Sequence, residues 1–165
     1  MTTAVRHMAR MGEVVLSSTP GDLLVSLGLG SCIGLAFIDA DAGVAGLAHI
    51  VLPRSPAGGA GATPGKFADT AIPHLLEVVK RAGGREQRIR AVLCGGAHMF
   101  ASQTSGSPVL AIGARNAEAV LEALRARRVN IRATDVGGNV GRSIEVSVAS
   151  GEVAVRGVGQ QTRKL

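Results

Sequence analysis

What most constrains the fold of this chain is its rhythm: short apolar runs of strand length, each cut off by glycine, proline or aspartate. Residues 13–18 (EVVLSS) and 22–27 (DLLVSL) are two such runs, separated by Thr19-Pro20-Gly21. Two more cover 33–39 (IGLAFID) and 44–52 (VAGLAHIVL), divided by the turn signal Asp39-Ala40-Asp41-Ala42-Gly43 and ended by Pro53. Further strands are expected at 88–94, 130–135, 143–149 and 152–157, the last two as a hairpin around Ser150-Gly151. Two segments carry the period of an amphipathic helix instead. Ala68, Ile72, Leu75, Leu76 and Val79 mark one over 67–82, closed by Gly83-Gly84, and Ala117, Val120, Leu121 and Leu124 mark another over 113–128. Pro73 falls inside the first, which requires either a first turn starting near 69–71 or a kink. Strand runs with two helices set between them imply an α+β fold of layered, mixed β-sheets with two main flanking helices.

A chain of 165 residues fits one domain, 1–165, without internal repeats, its ends (1–10 and 158–165) expected to be mobile. Hydrophobic residues make up 46% and charged ones 18%, as in a globular protein. With three Phe and no Tyr or Trp, the core must be aliphatic. The net charge of +6 comes from basic residues that are scattered or in short clusters without interleaved aromatics. That pattern argues against a nucleic-acid surface and fits a solvated face or attraction to an acidic protein. Two cysteines make no disulfide framework, the N-terminus has no apolar signal region, and no run approaches the roughly 18 apolar residues of a membrane span. A cytoplasmic protein with free thiols, and no membrane insertion, is the expectation. Residues 53–65 (PRSPAGGAGATPG) form the one low-complexity stretch, a loop that is either a lid or a plain connection.

Cys32 follows the turn Gly28-Leu29-Gly30-Ser31 between two strands, where backbone N–H groups converge. Such a nest stabilises a thiolate before reaction and an oxyanion during it. A small buried cysteine at a turn satisfies the same sequence. His49 is the one histidine inside an expected strand, on the same face as Leu47 and Val51, and a histidine among apolar neighbours needs a partner. It lies a hairpin's distance from Cys32, so adjacent strands can bring the two together; a satisfied core histidine remains the plainer alternative. His7, His74 and His98 have no metal-ligand spacing with the cysteines, so no zinc and no cofactor is expected. Gly28-x-Gly30-x-x-Ile33 lacks the third glycine of a dinucleotide fingerprint.

Several short segments, in one register over roughly 11–157, carry a resemblance. They are Ser26-Leu27-Gly28-Leu29-Gly30-Ser31-Cys32, Gly46-Leu47-Ala48-His49-Ile50-Val51-Leu52-Pro53, Gly65-Lys66-Phe67-Ala68-Asp69-Thr70-Ala71, Gly95-Gly96-Ala97, Ile112-Gly113-Ala114-Arg115-Asn116, and Gly137-Gly138-Asn139 followed by Arg142-Ser143-Ile144. Together they resemble the CheD family of chemoreceptor glutamine deamidases. The resemblance implies a fold similar to the catalytic domain of cytotoxic necrotizing factor toxins. It also implies a cysteine hydrolase that converts receptor glutamines to glutamate through a thioester. The nucleophile would be Cys32 and its base His49, with the Gly30 and Ser31 turn holding the oxyanion. The third catalytic position, a threonine in the family, falls on Ser26. Serine keeps the hydroxyl and loses the methyl that restricts its rotamer. The implied partners are methyl-accepting chemotaxis receptors and a CheC-type phosphatase, with Phe100 a candidate contact; a regulatory binding module with little catalysis is the alternative.

Overall fold

The structure is a computed structural model that describes residues 3–59, 61–99 and 111–165. Phe100, the candidate partner contact, lies outside the described residues.

The expected alternation of strands is present. β2 (Val14–Ser17), β3 (Leu23–Leu29), β4 (Ile33–Asp39) and β5 (Val44–Ile50) precede helix α1 (Ala68–Arg81). β6 (Arg90–Gly95), α2 (Ile112–Ala126), β7 (Asn130–Val136), β8 (Arg142–Ser147) and β9 (Val153–Gly157) follow it. Both terminal segments, read from sequence as mobile, carry short edge strands, β1 (Arg6–Met8) and β10 (Thr162–Lys164). β1 pairs in parallel with β3, and β10 runs antiparallel to β9. The strands form two mixed five-stranded sheets, ordered β1-β3-β8-β9-β10 and β2-β5-β4-β6-β7. The fold is therefore α+β with two helices and two mixed sheets.

Period-two alternation sorts the central sheet's side chains into two cores. Ile33, Leu35 and Phe37 of β4, with Ala48 and Ile50 of β5, pack against Ile72, Leu75 and Val79 of α1 and Val120 and Leu124 of α2. Ala36 and Ile38 of β4, Leu47 of β5 and Val92 of β6 point the other way. They meet Leu24 and Leu29 of β3, Ile144 and Val146 of β8 and Val153 and Val155 of β9. The layers run helices, central sheet, second sheet. Each fully buried leucine, isoleucine or valine contributes about 1.5–3 kcal/mol of hydrophobic stabilisation, so this core holds without Trp or Tyr.

α1 begins at Ala68, one residue ahead of the window set by Pro73, so Pro73 lies in the second turn. Its missing N–H removes the donor that the Asp69 carbonyl would otherwise receive. No helix among the described residues is long and apolar enough to cross a membrane.

Candidate active site around Cys32 and His49

The β4–β5 hairpin sets the site. Its register places Gly34 opposite His49 and Ile33 opposite Ile50. Cys32 precedes β4 by one residue and shares the Gly34 face, so it projects as a diagonal neighbour of His49 into the space between the sheets. Both residues are buried, at 8% and 3% exposure. Gly34 separates them without a side chain; a Cβ there would come within 2.8 Å of Leu29 Cδ1.

His49 is fixed on one edge of its ring. Its Nδ1 lies 2.9 Å from Ser26 Oγ and 3.2 Å from the Ala9 carbonyl, and Ser26 Oγ donates to that same carbonyl at 2.8 Å. A hydroxyl has one proton, and Ser26 gives it to Ala9. Ser26 Oγ must then accept from His49, and the Ala9 oxygen can only accept. Both neighbours therefore require the proton on Nδ1. This makes Nε2 the lone-pair nitrogen, and Nε2 is buried without a hydrogen-bond partner among the described residues. An unpartnered basic nitrogen, diagonally across the hairpin from a thiol, is what a proton transfer draws on.

Ala9 reaches this position through the N-terminal strap. Asp22 accepts from the Val5 N–H at 3.0 Å and from Ser17 Oγ at 2.7 Å, and pairs with His7 Nε2 at 2.7 Å. Those bonds, Ser17 first and then His7 and Val5, hold the Asp22 carboxyl down to about 2. They lay β1 along β3, and the Ala9 N–H continues the pairing to the Val25 carbonyl at 2.8 Å.

Burial pushes the Cys32 thiol up from its ordinary value. It pushes His49 down, against the opposing influence of the Ala9 carbonyl and Glu13. Both shifts favour the neutral forms, thiol and imidazole. The physical reason is the depth of the site: the two groups sit in an aliphatic seam that solvates neither charge.

The turn before Cys32 is held from behind. The Gly30 carbonyl accepts from the Ala97 N–H at 2.8 Å, and the Cys32 carbonyl from the Gly96 N–H at 2.9 Å. The Ser31 carbonyl accepts from Asn116 Nδ2 at 2.9 Å. Gly30, expected to supply an oxyanion donor, gives its own N–H to the Gly28 carbonyl at 3.0 Å. The Ser31 and Cys32 N–H groups have no acceptor among the described residues. These two amides are the free donors of the turn. Gly95, at φ +112°, is required here, because a Cβ would fall 2.1 Å from the Cys32 carbonyl oxygen.

Two contributors escaped the sequence reading. Ala9 acts through its backbone and leaves no residue-type signal. Asn116 does leave one: it is a polar residue on the buried stripe of α2, with Gly113, Val120 and Leu124. It is fully buried and donates to the Ser31 and Val51 carbonyls, each at 2.9 Å.

Cys94 lies across Gly34 from His49, on the far side of β4. Both cysteines are free. Burial, the largest influence on it, pushes the Cys94 thiol up to about 12. Iodoacetamide at neutral pH should alkylate Cys32 at least about tenfold faster than Cys94, since only the thiolate reacts. Peptide mass mapping of the singly alkylated protein checks this. Among the described residues, no group of three His, Cys, Asp or Glu side chains is placed to hold a metal ion.

Residues 51–157 match the family model described as CheD chemotactic sensory transduction. A probable chemoreceptor glutamine deamidase CheD of Geobacillus kaustophilus is 38% identical over 166 residues, covering 100% of both chains. The chemoreceptor glutamine deamidase CheD of Thermotoga maritima is 42% identical over 155 residues, 94% of each chain. A probable chemoreceptor glutamine deamidase CheD of Clostridium botulinum is 40% identical over 144 residues, 87% of this chain and 88% of its own. The family model begins just after His49, whereas the Geobacillus relative aligns across the whole chain and so spans Cys32, His49 and Ser26.

Proposed function

This chain belongs to the CheD family, and we propose that it is a protein-glutamine deamidase of chemoreceptors with Cys32 as nucleophile. The observation that carries the reading is the His49 ring, whose Nδ1 proton is committed to Ser26 and Ala9, while Nε2 has no partner among the described residues and Cys32 stands diagonally across the hairpin. The relatives' names, chemoreceptor glutamine deamidase, support glutamine side chains of chemoreceptors as the substrate, and we take these to be methyl-accepting chemotaxis receptors.

In this mechanism the Cys32 thiol passes its proton to His49 Nε2 as sulfur attacks the glutamine carboxamide carbon. The oxyanion is received by the Ser31 and Cys32 N–H groups. Collapse breaks the C–N bond, and the proton on Nε2 leaves with ammonia. Nε2 then takes a proton from a water that attacks the thioester, and the returning proton restores the thiol as glutamate departs. The imidazolium formed in passing is supported by the Ser26 hydroxyl and the Ala9 carbonyl. No cofactor enters.

The substrate is a side chain on another protein, and the chain's +6 charge suits an acidic partner. We read 1–165 as one cytoplasmic catalytic domain, with a CheC-type phosphatase as a further candidate partner. Two packed mixed sheets flanked by helices support the proposed likeness to the cytotoxic necrotizing factor catalytic domain. The rival reading, a binding module with little catalysis, drew on serine at position 26. Here the Ser26 hydroxyl lies 2.9 Å from His49 Nδ1, where it can orient the imidazole, which favours the enzyme.

The test is ammonia release on mixing this protein with a chemoreceptor cytoplasmic signalling domain. Release above the receptor-only control supports the reading, and its absence contradicts it. Ser26→Ala should slow release by about tenfold, the value of one hydrogen bond to the ring, because the Ala9 carbonyl still holds Nδ1. Ser26→Thr should stay within about threefold of wild type, since the hydroxyl is kept.

A further inference from the structure

We propose that Asn116 is a positioning residue for the oxyanion step, aiming the Cys32 N–H from behind; this rests on the deamidase reading above. The described peptide bonds are trans, so each C=O points opposite to the N–H of the next residue. Whatever holds the Ser31 carbonyl therefore also sets the direction of the Cys32 N–H. Asn116 Nδ2 holds it, at 2.9 Å, from α2 on the helix side of the central sheet. The Cys32 N–H is thereby turned away from α2, toward the layer between the sheets where Cys32 and His49 project.

The neighbouring amide is set in the same way. The Ala97 N–H holds the Gly30 carbonyl at 2.8 Å, which turns the Ser31 N–H away from that segment. One of the two free amides is thus aimed by backbone and the other by a side chain. The second Nδ2 hydrogen holds the Val51 carbonyl at 2.9 Å, fastening the end of β5 just past His49 to the Cys32 turn.

The same side chain is poorly explained by packing alone. Asparagine is a mediocre helix former, yet it sits on α2's buried stripe among apolar neighbours. Its Oδ1 is buried with no hydrogen-bond partner among the described residues. Buried polar atoms are normally paired, and an exception calls for a compensating role. The amide's orientation is fixed by its neighbours: both contacts are carbonyl oxygens, which only a donor can satisfy.

The test compares two reactions of one thiol. Deamidation builds an oxyanion; alkylation by iodoacetamide displaces iodide and builds none, though both need Cys32 and His49. Asn116→Ala frees the Ser31 carbonyl, and Asn116→Asp keeps the shape while setting oxygen against oxygen. In each, kcat on a receptor signalling domain should fall about 100-fold with KM within about threefold, as for loss of one oxyanion donor. Alkylation of Cys32 should stay within about threefold of wild type. Deamidation within about fivefold of wild type would overturn the proposal. So would a parallel loss of alkylation, which would make Asn116 a support for the Cys32/His49 pair in general, and so would loss of the melting transition in both variants, which would assign it to the fold. Failure of the underlying deamidase reading is distinguishable, because it appears in the wild-type reaction before any variant is compared.

Discussion

Cys32→Ala should lower ammonia release from a receptor domain by at least about 1,000-fold while leaving the protein folded. The size follows from what the sulfur does. It forms the covalent bond that splits amide hydrolysis into two easier steps, and the other nucleophilic group at His49, the Ser26 hydroxyl, is committed to Nδ1 and the Ala9 carbonyl. Cys94 is the nearest alternative thiol, but it is fully buried on the far side of β4 and held protonated. The fold should tolerate the change because one small side chain is shortened while Leu24, Leu29 and Leu47 of the same cluster remain. Comparison of melting curves with ammonia release separates the two effects.

His49→Gln should cost about 100- to 10,000-fold, the usual range for a general acid–base. Glutamine can keep a bond to Ser26, so the loss would reflect Nε2 and not the framework. The pH dependence carries the finer test. Burial holds the His49 pKa below its ordinary 6.5, and the reaction needs the neutral ring, so wild-type activity should persist at pH 6.5 and decline only below it. Stability follows the same sign. The folded state binds this proton less readily than the unfolded chain, so the contribution of neutral His49 is complete above 6.5 and is lost as the pH falls through its lower folded value. A pH–rate profile and a pH series of melting temperatures, each on wild type and His49→Gln, check both. The acid limb attributable to His49 should be absent from the variant.

Much of this was legible in the sequence, and the exceptions share a cause. Each apolar run bounded by Gly, Pro or Asp became a strand, because period-two alternation and turn chemistry are local. β1 (RHM) and β10 (TRK) were not legible: each is three residues long, mostly exposed, and held by backbone pairing to a neighbouring strand. Cys32 and His49 were legible as neighbours across a hairpin, since register follows from alternation, yet spacing alone could not name their chemistry; the proposed roles come from the family resemblance. The Ala9 carbonyl could not be read, because a backbone atom carries no residue-type signal and its place depends on the distant Asp22 clamp. Asn116 sat in plain view as a polar residue on an apolar helical stripe. Its two carbonyl partners come from chain segments far from α2 in sequence, which only the fold brings together.

The central claim is that Cys32 converts receptor glutamines to glutamates, and peptide mass spectrometry of a chemoreceptor signalling domain tests it most directly. After incubation with the wild-type protein, defined glutamine-bearing peptides should gain about 1 Da each, and the same peptides treated with Cys32→Ala should gain nothing. Equal gains with both proteins, or no gain with either, would contradict the account.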